Sequence, residues 1–270
     1  MRQKDPNYVH ALAKGLDILS AFSEGDMLGN QQLVELTGLP KATVSRMTST
    51  LVQLGYLRED VRSRKLTMGT RVLGMGAGVQ RRQGLQHIAR PLMQALSRET
   101  ETTVSLGTRD RLGMLILEVA RPPRTTLPVV SFDAGSHLPL TTTAIGLASI
   151  VAAPVKEQTQ ILKALRERYG SKWREARSAI ERAHAELHSR GFIVSQRSWG
   201  RDVNGVAVPM ELPRGNALYV FNCASAPTLW PLAAMRKSLG PRLRQMVDDV
   251  RTAMANEKSP LLQPFHRHEP

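Results

Sequence analysis

Cysteine is almost missing from this chain: Cys223 stands alone among 270 residues. That excludes a disulfide framework and any cysteine-rich zinc module, and it fits a reducing compartment. Long apolar runs are missing too. The richest stretch, Ala144 to Val155, contains Gly146 and Ser149 and is too short to span a bilayer. Met1 to Pro6 carries basic residues with no apolar segment behind them, so no secretory signal is expected. The expectation is a cytoplasmic chain without a membrane partner. Acids are scarce: 23 Asp and Glu against 37 Lys and Arg leave a formal charge of +14. Such a balance favours polyanionic partners, nucleic acid before anionic lipid.

Catalytic signatures are also absent. There is no Walker loop and no Gly-x-Ser-x-Gly elbow. Gly74, Gly76 and Gly78 follow a strand-like piece, but the third has the wrong spacing for a dinucleotide fingerprint. His184 and His188 lie four apart without the adjacent Glu of a zinc-protease helix, which reads as a solvated face. Cys223 sits in Val220-Phe221-Asn222-Cys223, a strand-like run, and reads as a packed core thiol. No catalytic residue, metal or cofactor is expected.

What is present is a globular composition, 41% hydrophobic and 22% charged, over a length that suits two domains. Val9, Leu12, Leu16 and Leu19 recur at helical spacing and mark a first helix from Tyr8 to Phe22. Asn30 is the expected N-cap of a short helix that Gly38 stops, and Pro40 opens a third helix running to about Leu54. Two strand-like pieces, Tyr56–Arg58 and Lys65–Met68, flank a polar turn. Thr70 to Arg82 reads as a helical linker broken by glycines. Its Val72, Met75 and Val79 form either a stripe between subunits or part of a flexible hinge.

The predicted segments are 8–68, a winged helix-turn-helix; 69–84, the linker helix; 85–256, a second domain; and 257–270, a disordered tail. The second domain has helices expected at Leu85–Glu99, Thr142–Ala152, Lys156–Arg168, Trp173–Arg190 and Pro231–Ala255. Strands are expected near Thr103–Thr108, Met114–Val119, Leu127–Phe132, Phe192–Gln196, Val203–Pro209 and Ala217–Cys223. Mixed helices and strands in this order predict an α+β fold, an antiparallel sheet with helices on its faces.

The third helix carries the sharpest signal. Val44, Met47, Leu51 and Leu54 fall on one stripe, to be packed against the first two helices. The other face holds Ala42, Ser45, Arg46, Ser49 and Gln53, with Lys41 near its start, and no acid occurs between Lys41 and Arg58. Small residues let a helix backbone enter the major groove, where Arg46 can address guanine O6 and N7 with two hydrogen bonds. Lys41, Thr43 and Ser45 are placed to hold phosphates near the helix start. From Lys41 to Arg71 seven basic residues face two acids, and the turn between the strands contributes Arg62, Arg64 and Lys65. The pattern is a winged helix-turn-helix that reads double-stranded DNA.

At this point the residues resemble a family. Gly38-Leu39-Pro40-Lys41-Ala42-Thr43-Val44-Ser45-Arg46 and Leu51-Val52-Gln53-Leu54-Gly55-Tyr56-Leu57 resemble the reading head of IclR-type bacterial transcriptional regulators. Leu138 to Gly146, Arg190-Gly191-Phe192, Val206 to Pro209 and Phe221-Asn222-Cys223 are similar to later landmarks of that family, in order, over about residues 8–255. The resemblance implies a GAF/PAS-like effector domain with a pocket between its sheet and the segment before a helix. The matching positions are Leu140, Thr143, Ala144, Ile145 and Gly146, with Ser195, Gly205, Phe221 and Cys223 from the strands. It also implies dimers through the reading heads and tetramers through the effector domains.

The amino end of the Thr142–Ala152 helix offers N–H groups for a carboxylate; Thr142 and Thr143 either donate hydroxyls to it or, with Thr141, simply cap the helix. Two departures change the expected ligand. Ser195-Gln196-Arg197-Ser198 stands where many relatives carry acids, and Phe221 replaces a small hydroxyl residue. An aromatic or larger carboxylate is thus as well suited as a small organic acid. The predicted function is a regulator whose affinity for a palindromic or near-palindromic operator responds to such an acid. A small-molecule enzyme with a sensor-like domain is the alternative from another class, and a ligand-independent architectural DNA protein is a third.

Overall fold

The computed structural model of the chain describes residues 7–22, 27–75, 84–123, 132–196, 203–212 and 218–256. Expectations on Gly76, Gly78 and Val79, on 127–131, on Arg197 and Ser198 and on the tail 257–270 fall outside those residues. The chain divides into two compact units, Met1–Arg82 and Gln83–Pro270.

In the first unit three helices, α1 (His10–Ala21), α2 (Asn30–Thr37) and α3 (Lys41–Gln53), precede an antiparallel pair, β1 (Leu57–Glu59) and β2 (Leu66–Met68). Leu28 bridges Leu66 with reciprocal N–H···O bonds of 3.0 and 2.9 Å, adding a single rung on the other side of β2 that no run of residues announces. The core gathers Ile18, Phe22, Leu33, Val44, Leu57 and Leu66.

Helical spacing in α1 is as expected, but the stripe that shows it faces outward. Val9, Leu12 and Leu16 are 60%, 63% and 50% exposed, while Ile18 and Phe22 are buried. Gly29, not Asn30, is the N-cap of α2; its N–H donates to the Gln32 side chain at 2.9 Å. Asn30 instead accepts from the hydroxyl of Thr48, a buried residue of α3, at 3.4 Å. Gly38 closes α2 at φ 67°, a left-handed conformation that glycine adopts at no steric cost. Leu54 leaves the expected inner stripe of α3: it is the C-cap and 47% exposed.

The second unit is built on a six-stranded sheet of antiparallel pairs. Its strands are β3 (Thr103–Asp110), β4 (Gly113–Ala120), β5 (His137–Pro139), β6 (Ile193–Ser195), β7 (Asn204–Glu211) and β8 (Leu218–Ser225), in the order β5-β4-β3-β8-β7-β6. One face packs on α4 (Gly84–Thr100) and the carboxyl-terminal helix through Leu85, Met93, Leu243 and Val247. The other packs on α5 (Ala144–Val151), α6 (Val155–Tyr169) and α7 (Trp173–Arg190) through Ile145, Ala148, Ile161 and Ile180.

The carboxyl-terminal helix is not continuous. After α8 (Leu232–Ala234) it widens into a π turn, Met235–Leu239, before α9 (Gly240–Asn256). Gly240 lies directly on the Phe192 ring, where a Cβ would stand 2.5 Å from Cζ. The wider turn sits beside a helix–strand contact that only glycine permits.

Candidate nucleic-acid interface and effector pocket

Burial of Val44 and Thr48, with Met47 and Leu51 half-buried, fixes the outward direction of α3. Lys41, Ala42, Ser45, Arg46 and Ser49 are exposed and Thr43 is half-buried. No side chain caps the amino end of α3, where Pro40 is the N-cap; the Thr43 N–H donates to the Pro40 carbonyl at 2.8 Å, and the N–H groups of Lys41 and Ala42 remain available to a phosphate. Thr48 does not compete for that surface, because its hydroxyl donates back to the Val44 carbonyl at 3.0 Å.

The wing turn is held by one acid. Asp60 Oδ1 accepts from the Ser63 N–H at 2.7 Å, the Ser63 hydroxyl at 2.8 Å and the Arg62 N–H at 3.1 Å. The Ser63 bonds hold the Asp60 carboxyl below its ordinary value of 3.8. A depressed carboxylate stabilises the turn above its unfolded pKa and ceases to do so as pH falls through the folded one. Amide exchange at Arg62 and Ser63, corrected for intrinsic rates, is therefore expected to accelerate only below about pH 4. Unchanged protection there would show that the carboxylate does not organise the turn.

Arg62, Arg64 and Lys65 are all exposed on this turn. Arg64 has φ 56° and pairs with Glu59, Nε to Oε1 at 3.1 Å. Arg71, part of the same basic count, has a structural task instead. Its Nη1 donates to the Leu54 carbonyl at 2.8 Å and its guanidinium lies over the Tyr56 ring, closing the end of α3.

In the second unit the expected effector residues separate. Leu140, Thr143, Ala144, Ile145 and Gly146 are buried where the chain enters α5. Thr143 is the N-cap: its hydroxyl donates to the Pro139 carbonyl at 2.6 Å and accepts from the Gly146 N–H at 3.1 Å. Thr141 donates to the Tyr169 hydroxyl at 2.8 Å, and Thr142 is exposed.

Ser195, Gly205 and Ala144 do converge. A Cβ on Gly205 would stand 3.2 Å from Ser195 Oγ, 3.4 Å from the Ala144 methyl and 3.4 Å from Asn222 Oδ1. Asn222 is the unforeseen member; its amide donates to Ser105 Oγ at 3.4 Å on the same sheet face. Two-residue alternation along β8 was the signal that would have found it, because a buried amide in an apolar strand needs a polar neighbour.

The same alternation corrects the expectation for Phe221 and Cys223. Both point to the opposite face, into the cluster with Met93, Leu106, Val208 and Leu243, and cannot share a cavity with Leu140–Gly146. Phe221 therefore does not narrow a pocket beside α5. Burial pushes the Cys223 thiol up to about 12, against a smaller opposing effect of a hydrogen bond with Thr102. A thiol reagent at pH 8 is expected to label Cys223 only after denaturation; rapid labelling of the native chain would contradict its burial.

A cleft of about 1090 Å³ opens between α7 and the β6 edge, lined by Thr141, Tyr169, Ala176, Ala183, Ile193 and Ser195 among others. Of the expected effector residues Ser195 and Thr142 border it. Among the described residues there is no cluster of three or more His, Cys, Asp or Glu able to hold a metal ion, and no helix is long and apolar enough to cross a membrane.

Comparison with known families agrees with both units. Residues 11–61 match the IclR helix-turn-helix domain, and residues 77–228 match the bacterial transcriptional regulator IclR C-terminal domain. The chain belongs to the IclR family. It is 58% identical over 262 residues, 97% of this chain and 94% of the other, to the HTH-type transcriptional regulator TsaQ1/TsaQ2 of Comamonas testosteroni. A crystal structure of an IclR family transcriptional regulator from Brucella abortus has 37% identity and a TM-score of 0.84, covering 94% of this chain and 95% of that one. An IclR homologue from Microbacterium hydrocarbonoxydans, solved with 4-hydroxybenzoate, shares the fold at 18% identity and a TM-score of 0.71 over 92% of this chain and 100% of that one. As an IclR member, the chain is a transcriptional regulator with a helix-turn-helix DNA-binding domain.

Proposed function

We propose that this IclR regulator binds a palindromic or near-palindromic operator as a cytoplasmic homodimer or tetramer, with an organic acid bound in the second unit changing its operator affinity. The observation that carries the reading is the outward face of α3: Ala42, Ser45, Arg46 and Ser49 are exposed, small or basic, and free of acids. Arg46 reads a base edge; Lys41, Thr43, Arg62, Arg64 and Lys65 hold phosphates.

Dimerisation rests on the outer stripe of α1. Val9, Leu12 and Leu16 expose apolar surface along one helix, and Leu73 and Met75 do so in the helical residues 71–75. The aligned apolar side chains of Val9, Leu12 and Leu16 mark an interface. The double variant Leu12→Asp, Leu16→Asp is expected to sediment one step lower in oligomeric order and to lose affinity for a two-half-site operator while remaining folded. An unchanged oligomer would move the interface elsewhere.

An acid ligand is supported by the relative solved with 4-hydroxybenzoate, an aromatic carboxylate. Coupling between acid and operator is typically 1–3 kcal/mol and reciprocal. Selection of bound duplexes from a random pool near physiological salt tests the reading. A recurring inverted repeat supports it. Weak salt-sensitive binding without enrichment overturns it and leaves a charged surface.

A further inference from the structure

The reading head holds only part of the chain's positive charge. Its basic span, Lys41 to Arg71, accounts for five of the fourteen excess charges. A second concentration lies in residues 155–190, on α6, α7 and the turn between them, where nine Lys and Arg stand beside five Glu.

Three of those acids are already committed to arginine. Glu157 pairs with Arg109, and Glu181 with Arg177 Nε at 2.8 Å. Glu186 pairs with Arg236 Nε at 2.8 Å and also accepts from the Val194 N–H at 2.9 Å. Arg109 and Arg236 come from outside the two helices. Eight cations of residues 155–190 then face only Glu167 and Glu175, an excess of six, and all eight are exposed.

On α6 the cations form a line. Lys156, Lys163 and Arg166 lie on the side opposite Ile161 and Leu165, which are buried, with Gln160 between them and Glu167 as the one acid at the end. From Lys156 to Arg166 the helix rises about 15 Å, the length of about four base-pair steps at 3.4 Å. No apolar side chain interrupts the line, so it lacks what a helix needs to lie in a lipid interface. Like charge repels a second copy of the same face. The occupant it complements is a polyanion charged along its length.

We propose that the α6 line binds the phosphate backbone of duplex DNA flanking the operator and adds affinity that is independent of sequence. The inference rests on the reading of α3 as the operator reader. Once α3 is seated, the adjoining duplex is presented at an effective concentration on the order of millimolar, so contacts too weak to hold free DNA still add to the affinity. Each phosphate neutralised releases counterions, which makes the contribution largest at low salt.

The test uses the full chain and two duplexes, a selected operator alone and the same operator extended by two helical turns of arbitrary sequence on each side. Fluorescence anisotropy against salt reads both. The wild type is expected to bind the extended duplex about tenfold tighter at low salt, with a salt slope steeper by about two to three. The triple variant Lys156→Glu, Lys163→Glu, Arg166→Glu is expected to lose that advantage and to hold the short operator as before. All three positions are exposed, and Glu near the start of α6 suits the helix dipole, so folding is not endangered. The neutral counterpart, with Gln at the same three positions, is expected to lose the extra slope as well.

Equal binding of the two duplexes by the wild type, or an advantage that survives both variants, overturns the assignment of α6 and leaves the operator reading standing. Poly-L-glutamate that binds the wild type and is not displaced by the extended duplex also overturns it and gives the face to an acidic protein. Equal affinity for the operator and for arbitrary duplex of the same length overturns the operator reading, and this inference with it.

Discussion

Replacing Arg46 by alanine is expected to weaken binding to a selected operator by about 1–3 kcal/mol and to flatten base preference at one position of each half-site. Arg46 is exposed on the outward face of α3, opposite Val44, which is fully buried. Around it, Ala42, Ser45 and Ser49 are too short to keep the backbone out of a groove. A guanidinium satisfies both guanine acceptors at once, and its loss leaves them without partners. Lys65→Ala on the wing should behave differently, weakening all duplexes alike and reducing the salt dependence by about one counterion. Arg64→Ala should follow Lys65→Ala, with a smaller loss because Glu59 already offsets part of its charge. Fluorescence anisotropy against the operator and single-base variants separates these patterns. Uniform weakening by Arg46→Ala, with relaxed specificity from the wing variants, would reverse the division of labour.

The second large effect is expected at Gly146. Alanine in place of glycine inside a helix ordinarily stabilises by up to about 1 kcal/mol. At Gly146 a Cβ would stand 2.5 Å from the Pro139 carbonyl oxygen and 2.5 Å from Leu140 Cα, both backbone atoms that no rotamer change can move. Gly146→Ala is therefore expected to destabilise the second unit by about 1–3 kcal/mol. Urea unfolding monitored by Trp173 and Trp230, both within that unit, reads the change. Gly74→Ala, in the first unit and read by far-ultraviolet circular dichroism, is the control: nothing lies within 4 Å of the added atom, and residues 71–75 are helical, so no loss is expected. A neutral Gly146→Ala would mean that the close approach of the Leu140 segment to α5 is not maintained.

These two positions show what a sequence discloses and what it withholds. The α3 face was legible because it joins a strong local pattern, an apolar stripe at 3.6-residue spacing, to an equally strong absence of acids. Gly38 and Pro40 frame the turn with conformational preferences that need no tertiary context. The helix of α1 was equally legible, yet its orientation was not. Spacing reports that Val9, Leu12 and Leu16 share a face; it does not report whether this chain or another covers that face. Ile18 and Phe22 fill the core from a shorter, less periodic set.

In the second unit the strand positions were mostly legible and the side-chain directions were not. A family landmark such as Phe221-Asn222-Cys223 says that a strand passes a pocket, but alternation decides which residues face it. Asn222 faces Gly205 and Ser195, and its neighbours on either side face the other core. The three-residue strand β5 and the single rung at Leu28 are too short to carry a period. The π turn before Gly240 lies beside a contact with Phe192, distant in sequence. The cleft beside α7 was hidden for a related reason: alanines at 176, 179 and 183 read as ordinary helix formers until the strand beside them is known.

The most direct test of the central claim, that α3 reads bases in the major groove, is methylation protection on a selected operator. Dimethyl sulfate modifies guanine at N7 in the major groove and adenine at N3 in the minor groove. Bound protein is predicted to protect guanine N7 at matching positions in two half-sites separated by whole helical turns, and Arg46→Ala to expose one of them in each half. Full N7 reactivity throughout the bound operator, with protection confined to adenine N3, would contradict the account.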